Sequence, residues 1–298
     1  MRTSRFFQYS AERQRIFLKR QEGLPSPWTT DPILHKHRFT NIFREDDRVT
    51  IWFRQNVREA GELDTASHIF RAIAFRWFNR PETWQTLLSH YGDNDEIMRV
   101  CSNEEILDTL RRNGAPPWIT GAYIILGERG VDKLEGVIRC ITLFKEKHLP
   151  TLAAMVDQRR KINDPITLRE LWKELLKVPY LGPFMAYEAV TDLYYTPVLQ
   201  DAPDVMTWAN AGPGAKRGCN RLLDLPHGRA ISQTQCCSIM RMLVKESFDW
   251  GWGQRVDWPA WTMREAEHTL CEWDKYERVL NGQGRPRGVY HREPLVVG

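Results

Sequence analysis

Within 27 residues this chain carries the start of one helix, its end, a tight turn and the start of a second helix. Thr167 followed by Glu170 is a capping box, in which each side chain satisfies the other residue's free backbone amide, and Leu171-Trp172-Lys173-Glu174-Leu175-Leu176 continues it as a helix. The string Val178-Pro179-Tyr180-Leu181-Gly182-Pro183-Phe184-Met185-Ala186 then supplies a turn and a proline at the first position of a new helix, predicted to run to about Leu193. Two helices joined this closely must pack against each other, and little else in the chain competes with helix. Residues 67–79 put Ile69, Phe70, Ile73, Ala74, Trp77 and Phe78 on one stripe, with Arg71 and Arg76 outside it. Asn103 opens another helix with acids in its first turn, and Thr262 with Glu265 forms a second capping box ahead of a helix over about 263–280. Val49 to Phe53 is the one stretch tempting as a strand, and helix is preferred there. The expected fold is mainly α.

Composition limits the alternatives. The 298 residues suffice for one large or two modest domains, and 42% hydrophobic with 27% charged residues is ordinary for a globular protein. The organisation expected is a basic N-terminal arm over 1–37, a helical domain over 38–281 and a basic tail over 282–298. Residues 1–20 hold six Arg/Lys against one Glu, and Arg285, Arg287 and Arg292 crowd the other end, although net charge is only +4. Basic ends of this kind track phosphates, or are simply solvated. Twelve Trp and twelve Phe fill a core first, and a surplus also suits stacking on bases. None of the six cysteines is spaced for a zinc knuckle or iron–sulfur loop, which fits reduced thiols in a cytoplasm-like compartment. No run approaches 18 apolar residues and no signal-peptide core is visible, so neither membrane insertion nor export is expected.

Four constellations bear on chemistry. In the hairpin, Pro179 and Gly182 are expected to allow the tight turn, and the helix after Gly182 aims free N–H groups at an anion. Tyr180, Gly182 and Phe184 are its DNA-facing candidates; the same string also serves as a plain helix–helix connection. Residues 207–218 form a Gly-rich basic stretch in which Gly212 and Gly214 flank Pro213, so that successive amides form an anion nest. Lys216 and Arg217 add phosphate-matching donors, and Trp208 stacks on a base or anchors the loop. This is no G-x-x-x-x-G-K-[ST] loop, so nucleotide hydrolysis is not expected of it. At helical spacing, Asn41, Arg44, Asp47 or Arg48, and Gln55 share a polar face while Phe39, Ile42 and Phe43 turn inward. Glu267, Cys271, Asp274 and Arg278 share a stripe at i, i+4, i+7 and i+11, where an acid orients an arginine or acts itself. His268 and Glu272 are i,i+4 neighbours without further metal ligands, and no metal site is expected.

Residues 39–48, the 178–186 hairpin, the 207–218 stretch, and 267–278 with Gly284-Arg285-Pro286 together resemble the alpha-glutamyl/putrescinyl thymine pyrophosphorylase family. These phage-associated enzymes are also related to the helical domain of hydroxymethyluracil DNA kinases, and the resemblance spans about residues 38–290. It implies a fold similar to helix-hairpin-helix DNA glycosylases and a reaction on 5-pyrophosphomethyl-uracil in DNA. An amino acid or polyamine displaces pyrophosphate at the base's methylene carbon; glycine, serine, glutamate and putrescine are all compatible. Carried over, Asp204 best matches the glycosylase-type acid because it directly precedes the 207–218 stretch, with Asp201 its rival. Gly212, Gly214, Lys216 and Arg217 would hold a phosphate, and Asn41, Arg44 and Asp47 would line the same cavity. Tyr180 replaces the first hairpin glycine and Phe184 the lyase lysine of bifunctional glycosylases, so Schiff-base chemistry is not expected there. No motif demands a cofactor; Mg²⁺ is compatible with a pyrophosphate leaving group. Partners implied are DNA, an amine donor and a 5-hydroxymethyluracil DNA kinase, in the host cytoplasm if the chain is phage-encoded. Two rival readings stand beside the transferase. A DNA glycosylase for a modified thymine would leave abasic sites, and a non-catalytic DNA-binding helical module would partner such a kinase.

Overall fold

The computed structural model describes all residues except Met1, Glu62, Cys101, Arg285, Arg287 and 289–298. Arg285, Arg287, Arg292 and most of the basic tail therefore lie outside the described residues. Fourteen α-helices are present among those described. In chain order they are α1 (Thr3–Gln21), α2 (Pro32–Lys36), α3 (Arg48–Phe53), α4 (Thr65–Phe78), α5 (Pro81–Tyr91), α6 (Asn94–Val100) and α7 (Asn103–Asn113). There follow α8 (Lys133–Leu143), α9 (Leu149–Lys161), α10 (Leu168–Leu175), α11 (Pro183–Leu193), α12 (Pro213–Leu222), α13 (Gln233–Ser247) and α14 (Met263–Leu280). Among the described residues no named strand occurs, and Arg255 and Trp258 form an isolated antiparallel bridge. None of these helices is long and apolar enough to cross a membrane. The chain divides into two compact units, Met1–Asp47 with Met206–Gly298, and Arg48–Val205.

In the Arg48–Val205 unit, α4 is the axis and packs on α5, α6, α8, α9 and α11. Every residue of α4 from Ile69 to Phe78 is buried, as expected of a helix surrounded by others. Arg71 and Arg76, expected outside the apolar stripe, are only 2% exposed, which corrects that reading. The reason is partners remote in sequence. Arg76 donates Nη2 to Asp192 Oδ1 at 2.8 Å, while Asp192 is wholly buried and Arg71 donates to the Val57 and Ala60 carbonyls and to Asp95. Removing either partner of the Arg76–Asp192 pair would strand a buried charge, at a cost of about 3–5 kcal/mol.

The α10–α11 hairpin lies in this unit. The Thr167 capping box forms, with the Thr167 hydroxyl accepting from Glu170 N at 3.0 Å and Glu170 Oε2 accepting from Thr167 N at 2.9 Å. Trp172 Nε1 donates to the Pro183 carbonyl at 3.1 Å, tying α10 to the first residue of α11. Val178 and Leu181 point into the core. The left-handed residue of the turn is Tyr180, at φ +63°, whereas Gly182 is extended at φ −71° and caps α11. The turn thus needs no glycine conformation at position 182.

The other unit is organised around α12 and α14, with α1 buried against them rather than extending as an arm. Phe6, Phe7, Tyr9 and Ile16 of α1 are buried; Phe6 packs edge-on to Trp261 and Trp273, and Phe7 stacks on Trp250. Trp252 joins Trp258 and Trp261, so these tryptophans are core. The supposed loop 207–218 is a loop only to Gly212. Pro213 begins α12, and Gly214 and Gly218 are helical. Their lack of a side chain serves helix packing: a Cβ at Gly214 would lie 2.3 Å from Cys271 Sγ, and one at Gly218 2.4 Å from the Leu270 carbonyl oxygen. Close approach of this kind is a standard use of helical glycine.

Replacing Gly218 by Ala should therefore destabilise the protein by on the order of 2–3 kcal/mol in urea denaturation, because backbone must move. Gly182→Ala, whose Cβ meets nothing within 4 Å, should cost less than about 1 kcal/mol. Equal costs at the two positions would contradict this packing account.

Candidate functional site

The strongest concentration of perturbed acids and bases lies in the Met1–Asp47 and Met206–Gly298 unit, around residues 39–47 and the first half of α14. Residues 38–43 are not helical: a short 3₁₀ turn occupies Arg44–Asp46, so the shared helical face expected for Asn41, Arg44, Asp47 and Gln55 does not form. Long-range bonds hold the segment instead. From α1, the buried Arg13 donates to the Phe39 and Thr40 carbonyls and to Asn41 Oδ1, all at 3.1–3.3 Å. From α14, Glu272 Oε2 accepts the Thr40 amide at 2.9 Å, and His268 Nε2 meets the Thr40 hydroxyl at 2.6 Å. Asn41 closes the turn by donating its side-chain amide to the Asp46 carbonyl. Phe39 and Ile42 turn inward as expected, and Phe43 is half-buried against Trp252.

Two carboxyls raised by burial, Asp47 and Glu267, sit around this segment with the guanidiniums of Arg44 and Arg264. Burial pushes the Asp47 carboxyl up to about 6, against the counter-pull of Arg44 and the Asn41 amide. Burial likewise raises Glu267, opposed by Arg264, the Gly212 amide and Arg44. Arg264 Nη1 donates to Glu267 Oε2 at 3.3 Å, and Arg44 and Arg264 are each 9% exposed. His268 is held well below its usual range by burial and by both arginines, so it is neutral near pH 7. A carboxyl titrating near 6 beside buried arginines can accept a proton while positive charge is held nearby. Among the described residues no group of three or more His, Cys, Asp or Glu is arranged to hold a metal.

The 207–212 loop is pinned by one face of α13. Gln233 accepts from the Ala211 amide and donates to the Ala211 carbonyl, Cys237 Sγ lies 3.5 Å from the Ala209 carbonyl, and Arg241 donates to that of Thr207. Trp208 is half-buried. At the start of α12 the Gly212 amide faces Glu267 Oε1 at 3.4 Å, so a carboxyl stands at this helix N-terminus. Gly214 is accounted for by packing against Cys271 rather than by an open amide. Lys216 is half-buried, and Arg217 Nε bonds Asp274 Oδ2 at 2.8 Å.

Asp201, Asp204, Tyr180, Gly182 and Phe184 belong to the Arg48–Val205 unit. Asp201 is exposed. Asp204 accepts the amides of Leu168 at 2.7 Å and Arg169 at 3.0 Å, capping α10 beside the Thr167 box. Burial nonetheless leaves its carboxyl above the usual range. Tyr180 and Phe184 are 37% and 47% exposed, and Phe184 packs edge-on to Tyr123. Three residues of the cluster went unread in the sequence. Arg13 lies on the Phe6, Tyr9/Ser10 stripe of α1, a signal available in the spacing, whereas Thr40 and Arg264 gain their roles only through partners far along the chain.

The linkage at Asp47 has a definite sign. Its folded pKa lies above the ordinary 3.8, so the stability it contributes is full below about pH 4 and is lost as pH rises through 6. Asp47→Asn should consequently gain about 2 kcal/mol relative to wild type between pH 4.5 and 7.5 in urea titrations. A difference independent of pH would contradict the burial of this carboxyl.

The family model for the helical domain of 5-hmdU DNA kinase matches residues 2–285. The chain is also 28% identical, over 230 residues, to a 5-hmdU DNA kinase of Bacillus phage SP10, an alignment covering 72% of this chain and 35% of that protein. It thus spans about a third of the length of that relative. No solved structure matches it. The match extends over nearly the whole chain and includes both compact units, and on that ground the protein belongs to the 5-hmdU DNA kinase helical-domain family.

Proposed function

We propose that this chain is the DNA-engaging helical module of a thymine-hypermodification system, acting on 5-hydroxymethyluracil in DNA beside a kinase that phosphorylates it. The observation that carries this reading is the match of residues 2–285 to the helical part of such kinases, in a chain without a G-x-x-x-x-G-K-[ST] motif. The α10–α11 hairpin supports it. Gly182 is required neither by its φ of −71° nor by packing, since a Cβ there meets nothing within 4 Å. A ligand backbone passing over the start of α11 would explain the glycine, as in helix-hairpin-helix glycosylases. Exposed Tyr180 and Phe184 offer apolar faces beside that approach.

One observation favours a second, catalytic reading: the pairing of Asp47 and Glu267 with Arg44 and Arg264 in an enclosed setting. In a transferase, an amine would attack the methylene carbon of the pyrophosphorylated base. The C–N bond forms as the C–O bond breaks, pyrophosphate leaves with the bonding electrons, and Asp47 takes the amine proton. An amino acid or polyamine would be the donor. Asp201 and Asp204 remain candidates for the same duty, although Asp204 already caps α10.

For the module, fluorescence anisotropy with duplexes that differ at one base should show 5-hydroxymethyluracil DNA bound about tenfold more tightly than thymine DNA. Absence of DNA binding would overturn the proposal. For the transferase, nucleoside mass spectrometry of 5-pyrophosphomethyl-uracil DNA incubated with the protein and an amine pool should give a heavier thymidine derivative. Asp47→Asn should lower its yield at least about a hundredfold with DNA binding retained. Loss of the base would instead identify a glycosylase, and an unchanged digest would leave the module without catalysis.

A further inference from the structure

We infer that Arg217 and Arg278, gathered on the buried carboxylate of Asp274, form a phosphate-binding site. Arg217 and Arg221 stand one turn apart on α12, as do Asp274 and Arg278 on α14. Asp274 is wholly buried and receives Arg217 Nε on Oδ2 at 2.8 Å and Arg221 Nε on Oδ1 at 2.7 Å. Arg278 Nε lies 3.4 Å from the same Oδ2. Three guanidiniums thus share one carboxylate, and two of them meet on a single oxygen.

Closure of α12 on α14 does not require this. One arginine would satisfy a buried aspartate, and each further guanidinium adds like charge. Arg221 is the closed member: its side chain is 8% exposed and its Nη2 donates to Gln283 Oε1 at 2.7 Å. Arg217 and Arg278 differ from it. Their side chains are 33% and 35% exposed, and both approach Asp274 edge-on through Nε. Their terminal amino groups have no acceptor among the described residues.

The result is two half-exposed, fork-shaped donor sets with surplus positive charge, Arg217 bonded to Asp274 and Arg278 in ion-pair contact with it. A tetrahedral oxyanion with several acceptor oxygens matches such a pair better than a single carboxylate does. Gly284 lies at φ +147°, where side chains are rarely tolerated, and a Cβ there would stand 3.8 Å from Arg278 Nη1. The glycines of α12 that admit close contact with α14 bring the two arginines together. Asp274 never touches the ligand; it is a positioning residue.

The phosphate has two sources under the function proposed above, the DNA backbone and a phosphate carried by the modified base, and the DNA arm of the test rests on that reading. DNA affinity is measured from 50 to 300 mM salt, and thermal melting is followed with and without inorganic pyrophosphate. Wild type is compared with Arg217→Gln, Arg278→Gln and the double variant. Arg278→Lys, which keeps the charge beside Asp274 and loses the fork, guards against simple unfolding. If the site holds a backbone phosphate, each Gln variant weakens DNA binding about tenfold and lowers the log–log salt slope by about 1. If it holds a terminal phosphate, pyrophosphate raises the melting temperature of wild type and not of the double variant or Arg278→Lys. Folded variants with unchanged DNA affinity, salt slope and pyrophosphate response would overturn the site. Should wild type fail to bind DNA, the function proposed above fails alone, because the pyrophosphate arm needs no DNA.

Discussion

Pairing of buried carboxylates with arginines is the constraint on which each compact unit depends. In one, Asp274 joins α12 to α14; in the other, Asp192 on α11 holds Arg76 of α4. These acids are fully enclosed, so each charge must find its partner or the helices carrying them cannot close. The arginines also fix helix register. A slip of one residue in α12 would turn Arg217 and Arg221 off Asp274 and drive Gly214 and Gly218 from the places where α14 comes nearest. Glycine and arginine therefore act together: the first permits close contact and the second requires it.

The same logic separates what the sequence revealed from what it hid. Helix limits that rest on neighbouring residues were legible. The Thr167 and Thr262 capping boxes, α11 over Pro183–Leu193 and α14 over Met263–Leu280 all form where local signals place them. Features that rest on distant partners were not. Arg76 reads as an outward charge until Asp192, 116 residues later, is brought beside it. Residues 38–47 read as a helical face because nothing nearby announces that Arg13 and α14 will hold 38–43 out of a helix. The basic stretch near the N-terminus concealed a core helix because its charges alternate with Phe6, Phe7, Tyr9 and Ile16. At residues 207–218 the signal was present and misread: a proline after Gly212 is a helix start as readily as part of an anion nest.

The candidate site was legible in part. Asn41, Arg44 and Asp47 lie together in one cluster, although not on a helix, and Glu267 joins them from α14. Asp204, matched to a glycosylase-type acid because it directly precedes the 207–218 stretch, caps α10 through two backbone amides, a role that its place in the sequence could not disclose. The two kinds of charge in the unit containing α12 and α14 suit different tasks. Asp47 and Glu267, raised by burial, have the kind of shifted protonation that proton transfer uses, whereas Arg217 and Arg278 are half-exposed donors of the kind that hold anions.

The proposal that the protein engages DNA is tested most directly by hydrogen–deuterium exchange on the whole chain, free and saturated with a duplex containing 5-hydroxymethyluracil. Slowed exchange is expected at the start of α11 and along α12 and the C-terminal half of α14, with the α4 core unchanged. Identical exchange in both states would contradict it.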